Sequence, residues 1–265
     1  MDRPFTDNAG RDDKVFSPRS KAEQVAMRLL DAIAAAGHPP GTSLGTEADL
    51  LAAFDVSRPT LREALRILES QGVLELRQGP GGGILVRQPS VDILAHGLSV
   101  FLRLNEVPFI SLLQARELIE PTLAREAALN GTETDFAAME ASIARMASLG
   151  EDEAAFVEEN RVFHGIVARA GGNRVLETFW ATISILADGH QHGVRYSFGN
   201  RRHVIAAHRA ILDACRARNP DAAAARMREH VGALEHLVRE RYRHLLQAPT
   251  SVVSRPARRG GTAAR

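Results

Sequence analysis

Three histidines, His164, His208 and His230, fall on the apolar sides of three separate helical stretches. Asn160 lies four residues before His164, so on a helix the two side chains share a face. Imidazoles converging inside a helical bundle bind zinc, nickel or another borderline divalent ion. Taken one at a time, each reads more simply as a hydrogen-bonded core histidine, because spacing does not prove that separate helices meet. Arg116 is the next candidate: a guanidinium directed into a bundle can grip a carboxylate with two parallel hydrogen bonds. Its bland alternative is a salt bridge to Glu120, its i+4 neighbour, worth only about a few tenths of a kcal/mol on an exposed helix. His190, His192 and Arg195 read as a solvated helix end.

A second constellation is VSRPTLREALRILESQGVLELRQGPGGGILV, residues 56–86. Ser57 is a good N-cap and Pro59 suits a first turn, where a missing N–H costs nothing. Leu61, Leu65 and Leu68, with Ala64, make an apolar stripe at helical spacing. Arg58, Arg62 and Arg66 lie four apart on another face, a repulsive arrangement that phosphates or base edges would relieve. A solvated face with Glu63 and Glu69 nearby is the alternative. Gly72 can end the helix. Val73, Leu74 and Leu76 begin a strand, and Ile84, Leu85 and Val86 its return, around the turn 78–83. A phosphate-cradling loop would precede a helix and carry a Lys-Ser/Thr pair. Here a strand follows and lysine is absent, so that reading is rejected.

These motifs need elements to hold them. Upstream, 20–36 suits a packing helix, and Thr46 caps a short one containing Leu50, Leu51 and Phe54. Helix, helix, helix and hairpin outline a winged helix-turn-helix over 20–88, after an irregular arm at 1–19. From 89 to 247 helices are expected at 91–104, 109–129, 133–148, 152–169, 174–196, 201–218 and 220–246, divided by Pro, Gly and Asn breakers. Short loops between long helices imply an antiparallel bundle. The fold class expected is mostly α: a winged helix-turn-helix followed by an antiparallel bundle of six or seven helices. Residues 248–265 read as a disordered basic tail.

Composition sets bounds. The 265 residues suit two domains, and no apolar run is long enough for a membrane span. A single cysteine, Cys215, excludes an intrachain disulfide and fits a reducing cytoplasm, the expected location. Residues 1–89 carry 11 basic and 12 acidic side chains, while 57–88 carry five arginines against three glutamates. Any attraction to DNA is therefore local.

The stretch PGTSLGTEADLLAAFDVSRPTLREALRILESQGVLELRQGPGGGILV resembles the DNA-binding domain of GntR-type bacterial repressors. The resemblance implies DNA contacts by Ser57, Arg58, Thr60 and Arg62, with Gln78 and Gly79 at the wing tip. Gly45 stands where that family usually has proline, and Ala48 where an arginine often contacts DNA. Residues 109–240 resemble the FCD ligand-binding domain of FadR-type members, through Arg116-Glu117-Leu118-Ile119-Glu120-Pro121, Asn160-x-x-Phe163-His164 with Asn173, His208-x-x-Ile211 and Met227-x-x-His230. This implies a divalent metal held by Asn160, His164, His208 and His230, zinc first, with nickel or manganese as alternatives. Arg116 would bind the effector. Asn160 occupies a position often held by aspartate, and Ala207 one often held by glutamate.

The expected function is a ligand-responsive transcription regulator, a repressor, binding a pseudo-palindromic operator in double-stranded DNA as a homodimer. A small carboxylate effector would reset it, and no membrane is involved. The rival is a metal-dependent enzyme acting on a small hydroxy or sugar acid, with a DNA-binding domain attached. Against it stand the absence of an HExxH helix and of a Ser/Cys nucleophile motif, and the lack of an acidic residue evident beside the histidines. A third reading is an architectural DNA binder without effector.

Overall fold

The computed structural model describes residues 20–77, 79, 83–188, 194 and 198–253, and the chain divides into two compact units between Ser90 and Val91. The first unit runs α1 (Lys21–Ala35), α2 (Glu47–Phe54), α3 (Arg58–Ser70), β1 (Leu74–Arg77) and β2 (Gly83–Val86). Ser20 and Thr46 each close a reciprocal capping box, with Glu23 and Asp49 reaching back to the cap N–H groups. The leucines expected to form the stripe of α3 do so: Leu61, Leu65 and Leu68 are buried with Ala64, against Val25, Leu29 and Ile33 of α1. Gly72 follows the helix with φ +74°, as expected of its C-terminal glycine.

The wing is an antiparallel pair with Leu74 opposite Val86 and Arg77 opposite Gly83. Residues 41–45 add a further edge: Leu44 N–H donates to Ile84 C=O, Val86 N–H to Thr42 C=O and Gly41 N–H to Val86 C=O. Gly45 closes this edge with φ +87°, which proline cannot adopt. A Cβ there would lie 2.8 Å from Asp49 Oδ2, the oxygen that caps α2.

The second unit holds seven helices among the described residues: α4 (Val91–Leu104), α5 (Phe109–Asn130), α6 (Glu133–Ser148), α7 (Glu153–Ala170), α8 (Arg174–Leu186), α9 (Phe198–Arg216) and α10 (Pro220–Arg241). Helix α5 packs against α7, α8, α9 and α10, and α6 against α7 and α9. Phe136, Met139, Phe163, Ile211 and Leu212 fill the main core. Asn173, part of the sequence signature, caps α8 by accepting from Val175 and Leu176 N–H.

Three expectations are corrected. The helix expected over 174–196 ends at Leu186, where Ala187 leaves helical geometry ahead of an Asp-Gly pair; 189–193 and 195–197, with His190, His192 and Arg195, lie outside the described residues. The last helix ends at Arg241, not 246, and a 3-10 turn (Arg243–Leu245) follows. The tail expected from 248 is ordered to 253. Ala248 C=O accepts from Phe109 N–H, buried Thr250 bonds twice to Val107 C=O, and Val253 meets Ser99 Oγ and His96 Nδ1 on α4. These backbone groups find partners that composition alone did not reveal. The arm at 1–19 and the remainder of the tail lie outside the described residues.

Gly45→Ala should destabilise the first unit by about 1–3 kcal/mol, because it forces both a positive φ and a close contact. Gly79→Ala, with φ +93° but open space around it, should cost less. Denaturant unfolding of the two variants checks the order.

Candidate metal centre and nucleic-acid interface

Ser57, Arg58, Thr60 and Arg62 all lie at the start of α3, and all but Thr60 are exposed. Ser57 Oγ accepts from Thr60 N–H and lies 2.8 Å from Thr60 Oγ1, so these hydroxyls organise the helix start. Arg62 Nε donates to both oxygens of Glu47 on α2, at 3.0 and 3.1 Å, which ties the two helices together. Arg58 and Arg66 make no ion pair among the described residues and present uncompensated charge beside a helix N-terminus, itself a site that favours phosphate. Ala48 is exposed at the start of α2. Gly79 sits at the wing turn with φ +93°, and Gln78 lies outside the described residues.

In the second unit the three histidines meet. His164 comes from α7, His208 from α9 and His230 from α10. His230 Nε2 lies 3.0 Å from His164 Nε2 and 3.1 Å from His208 Nε2. His164 and His208 are buried. The ring of His208 stacks on Phe163, with centroids 3.8 Å apart and planes 9° from parallel. Burial, reinforced by His230 and His164, holds His208 well below the usual imidazole range. Burial and then His164 push His230 down to about 3, against an upward pull from Glu120. Both imidazoles are thus held neutral, the form that carries a lone pair for a metal.

The residue that sequence reasoning missed is Glu120, on α5. Its carboxylate is buried, with Oε1 2.5 Å from Arg116 Nε and Oε2 2.5 Å from His164 Nδ1. The second approach is close but bent, and leaves both atoms without a straight hydrogen bond. Burial pushes the Glu120 carboxyl up, but Arg116 and His164 outweigh it and hold the group well below the usual carboxylate range. The i,i+4 pair with Arg116, read from spacing as a weak surface bridge, is a buried ion pair. An acidic group therefore does stand beside the histidines, contrary to the expectation from sequence. A carboxylate at Nδ1 selects the tautomer with its proton there, leaving the His164 Nε2 lone pair free. Among the described residues nothing comparable holds His208, whose buried Nδ1 has no hydrogen-bond partner there.

Ring nitrogens that meet at such distances repel unless a cation or a proton lies between them. Four ligands about 2.0–2.1 Å from a tetrahedral metal would stand about 3.3 Å apart, close to the two spacings observed. The three ligand atoms lie within 4.8 Å of one another, so the residues fit a divalent ion. Beside them opens a cavity of about 600 Å³ between α5, α7, α9 and α10. Arg116, Asn160 and His230 line it together, so the structure groups the expected effector residue with the expected ligands.

An exposed cationic helix in a winged fold, joined to a helical bundle with a buried histidine cluster and a cavity, defines a DNA-binding regulator with a sensing domain. The comparisons agree. Residues 21–84 match the model of bacterial regulatory proteins of the gntR family, and residues 111–233 match the FCD domain. The chain carries a gntR-family DNA-binding domain followed by an FCD domain. It is 28% identical over 211 residues to the galactonate operon transcriptional repressor of Escherichia coli, covering 77% of this chain and 90% of the repressor. It is 26% identical over 218 residues to the transcriptional repressor NanR of Citrobacter rodentium, covering 80% and 83%. A solved GntR structure from Streptococcus agalactiae aligns at 27% identity with a TM-score of 0.69, covering 81% of this chain and all but 1% of its own length (99%). These relatives are transcriptional regulators, not enzymes, and the enzyme rival falls with them, although Glu120 meets one of its requirements. Among the described residues no helix is long and apolar enough to cross a membrane.

Glu120→Gln should weaken zinc affinity by about 10–100-fold, the usual effect of removing a partner that orients a ligand. Competition titration against a chromophoric chelator checks it, and unchanged affinity would show that Glu120 does not orient His164.

Proposed function

We propose that the chain is a metal-dependent, effector-responsive repressor. It binds a pseudo-palindromic operator as a homodimer, and a small carboxylate bound in the histidine cavity resets it. The observation that carries this reading is the convergence of three imidazole Nε2 atoms beside a cavity that Arg116 also lines.

His164, His208 and His230 would hold the ion, with the Asn160 amide oxygen as a further ligand, and zinc as the first candidate. The ion would supply a positive charge and an open coordination position for the effector's carboxylate. Arg116, oriented by Glu120, would place that carboxylate through its guanidinium. An effector shifts the regulator only by binding its two conformations with different affinity. A covalent route from the cavity supports such a shift. Helix α10 lines the cavity, ends in the 3-10 turn and continues into residues 248–253, which clasp α4 at His96 and Ser99. Helix α4 begins where the DNA-binding unit ends.

A dimer face is supported by exposed apolar side chains on two adjoining helices. Helices α5 and α8 share Leu123, Trp180, Ile119 and Leu176. They leave Leu118, Val175 and Phe179 at 77%, 62% and 57% exposure. Such a patch suits a second copy, and a two-fold pair presents two α3 helices to two half-sites. The double substitution Leu118→Asp/Phe179→Asp should convert dimer to monomer in analytical ultracentrifugation and lower operator affinity.

On DNA, Ser57, Arg58, Thr60 and Arg62, with Gln78 and Gly79, are the proposed contacts. For ~6–10 phosphate contacts, operator affinity should fall about 10³–10⁵-fold between 50 and 200 mM salt. Arg58→Ala should weaken binding and reduce that slope. Fluorescence anisotropy on operator DNA, with and without zinc and carboxylates, tests the whole reading; a flat salt response and indifference to both additions would remove it.

A further inference from the structure

The cavity beside the histidines has walls of a particular chemistry. Val204, Ala207 and Ala210 line it from α9, and Val231, Leu234 and Leu237 from α10. Among the described lining residues, Asn160 is the one neutral amide, and none carries a hydroxyl. Charged groups do line it, but several are already matched to each other. Arg226 pairs with Glu229 at 3.0 Å, and His236 with Glu240 at 3.1 Å, all well exposed. His203 and Arg241 line it too and are exposed, so the partly buried polar lining residues are Arg116, Asn160 and His230. The cavity thus combines a few sheltered polar groups with aliphatic walls.

We propose that the effector is a monocarboxylate with a compact apolar body, branched aliphatic or aromatic, and not a polyhydroxylated sugar acid. This deepens the reading given under Proposed function and rests on a carboxylate entering this cavity. A sugar acid carries a hydroxyl on nearly every carbon. Each hydroxyl brought against the valine, alanine and leucine walls gives up water without gaining a partner. A branched or aromatic body instead removes apolar surface from water on both sides. About 600 Å³ is within the range of small-molecule sites and admits a phenyl or isobutyl group with its carboxylate.

The test is calorimetric titration of the zinc-loaded full chain with phenylacetate, 4-methylpentanoate, lactate, galactonate and gluconate. Phenylacetate or 4-methylpentanoate should bind at least about tenfold more tightly than either sugar acid. Tighter or equal binding of galactonate or gluconate overturns the inference while leaving a carboxylate-responsive regulator intact. No binding by any of the five overturns the inference together with the functional reading beneath it. Ala210→Phe, which fills the cavity, should weaken phenylacetate by at least about tenfold with zinc content unchanged. Leu237→Gln, which keeps the volume and makes the wall polar, should narrow the gap between phenylacetate and galactonate. Phenylacetate binding unaltered in both variants places it elsewhere and contradicts the proposal.

Discussion

A buried carboxylate is the constraint from which the second unit is organised. Glu120 is removed from water on α5, and an ion in that position persists only if it is paired. Arg116, one turn earlier, supplies a full positive charge, and His164 on α7 supplies a ring nitrogen. The pairing joins two helices that must then stay in register, which is why α5 can pack on α7, α8, α9 and α10 around one fixed point. Removing Glu120 would take away the counter-charge that a largely buried guanidinium faces at 2.5 Å, a far larger effect than loss of a surface salt bridge.

The same carboxylate decides what the neighbouring imidazole can do. With Nδ1 turned to Glu120, His164 presents Nε2 to the cluster. His208 reaches the cluster by a different device, a ring stacked flat on Phe163 in the centre of the core. Its Nδ1 has no hydrogen-bond partner among the described residues, so the stack on Phe163 and the contact of its Nε2 with His230 set its orientation. Two histidines held neutral by burial and one directed by a carboxylate make a ligand set that is ready before any ion arrives. The DNA-binding unit shows the same economy at its surface. Ser57 and Thr60 build the start of α3, and Arg62 ties it to α2 through Glu47, while Arg58 makes no ion pair among the described residues.

Much of this was legible in the chain. The buried stripe of α3, the caps at Ser20, Thr46 and Ser57, and Gly72 after the helix follow from local rules that need no tertiary information. The spacing of Asn160, His164, His208 and His230 was visible too, but their meeting was not, because it depends on the packing of α7, α9 and α10. Glu120 was visible only as the fourth residue after Arg116, a spacing that usually marks an exposed pair; its burial is a property of the bundle. The docking of 248–253 was hidden for a related reason. Its small and polar residues resemble a loose tail, and their partners, Ser99 and Val107, lie about 150 residues earlier in the chain. Helix α8 was expected too long because the expectation carried it through the Asp-Gly pair that follows Ala187.

The claim at the centre is that His164, His208 and His230 form one metal site. X-ray absorption at the zinc edge, on the zinc-loaded full chain without effector, tests it most directly. The account predicts a first shell containing three imidazole nitrogens at about 2.0–2.1 Å, with the outer-ring scattering that imidazole produces. A shell of oxygens alone, or a spectrum unaltered in the His164→Ala/His230→Ala double variant, would contradict it.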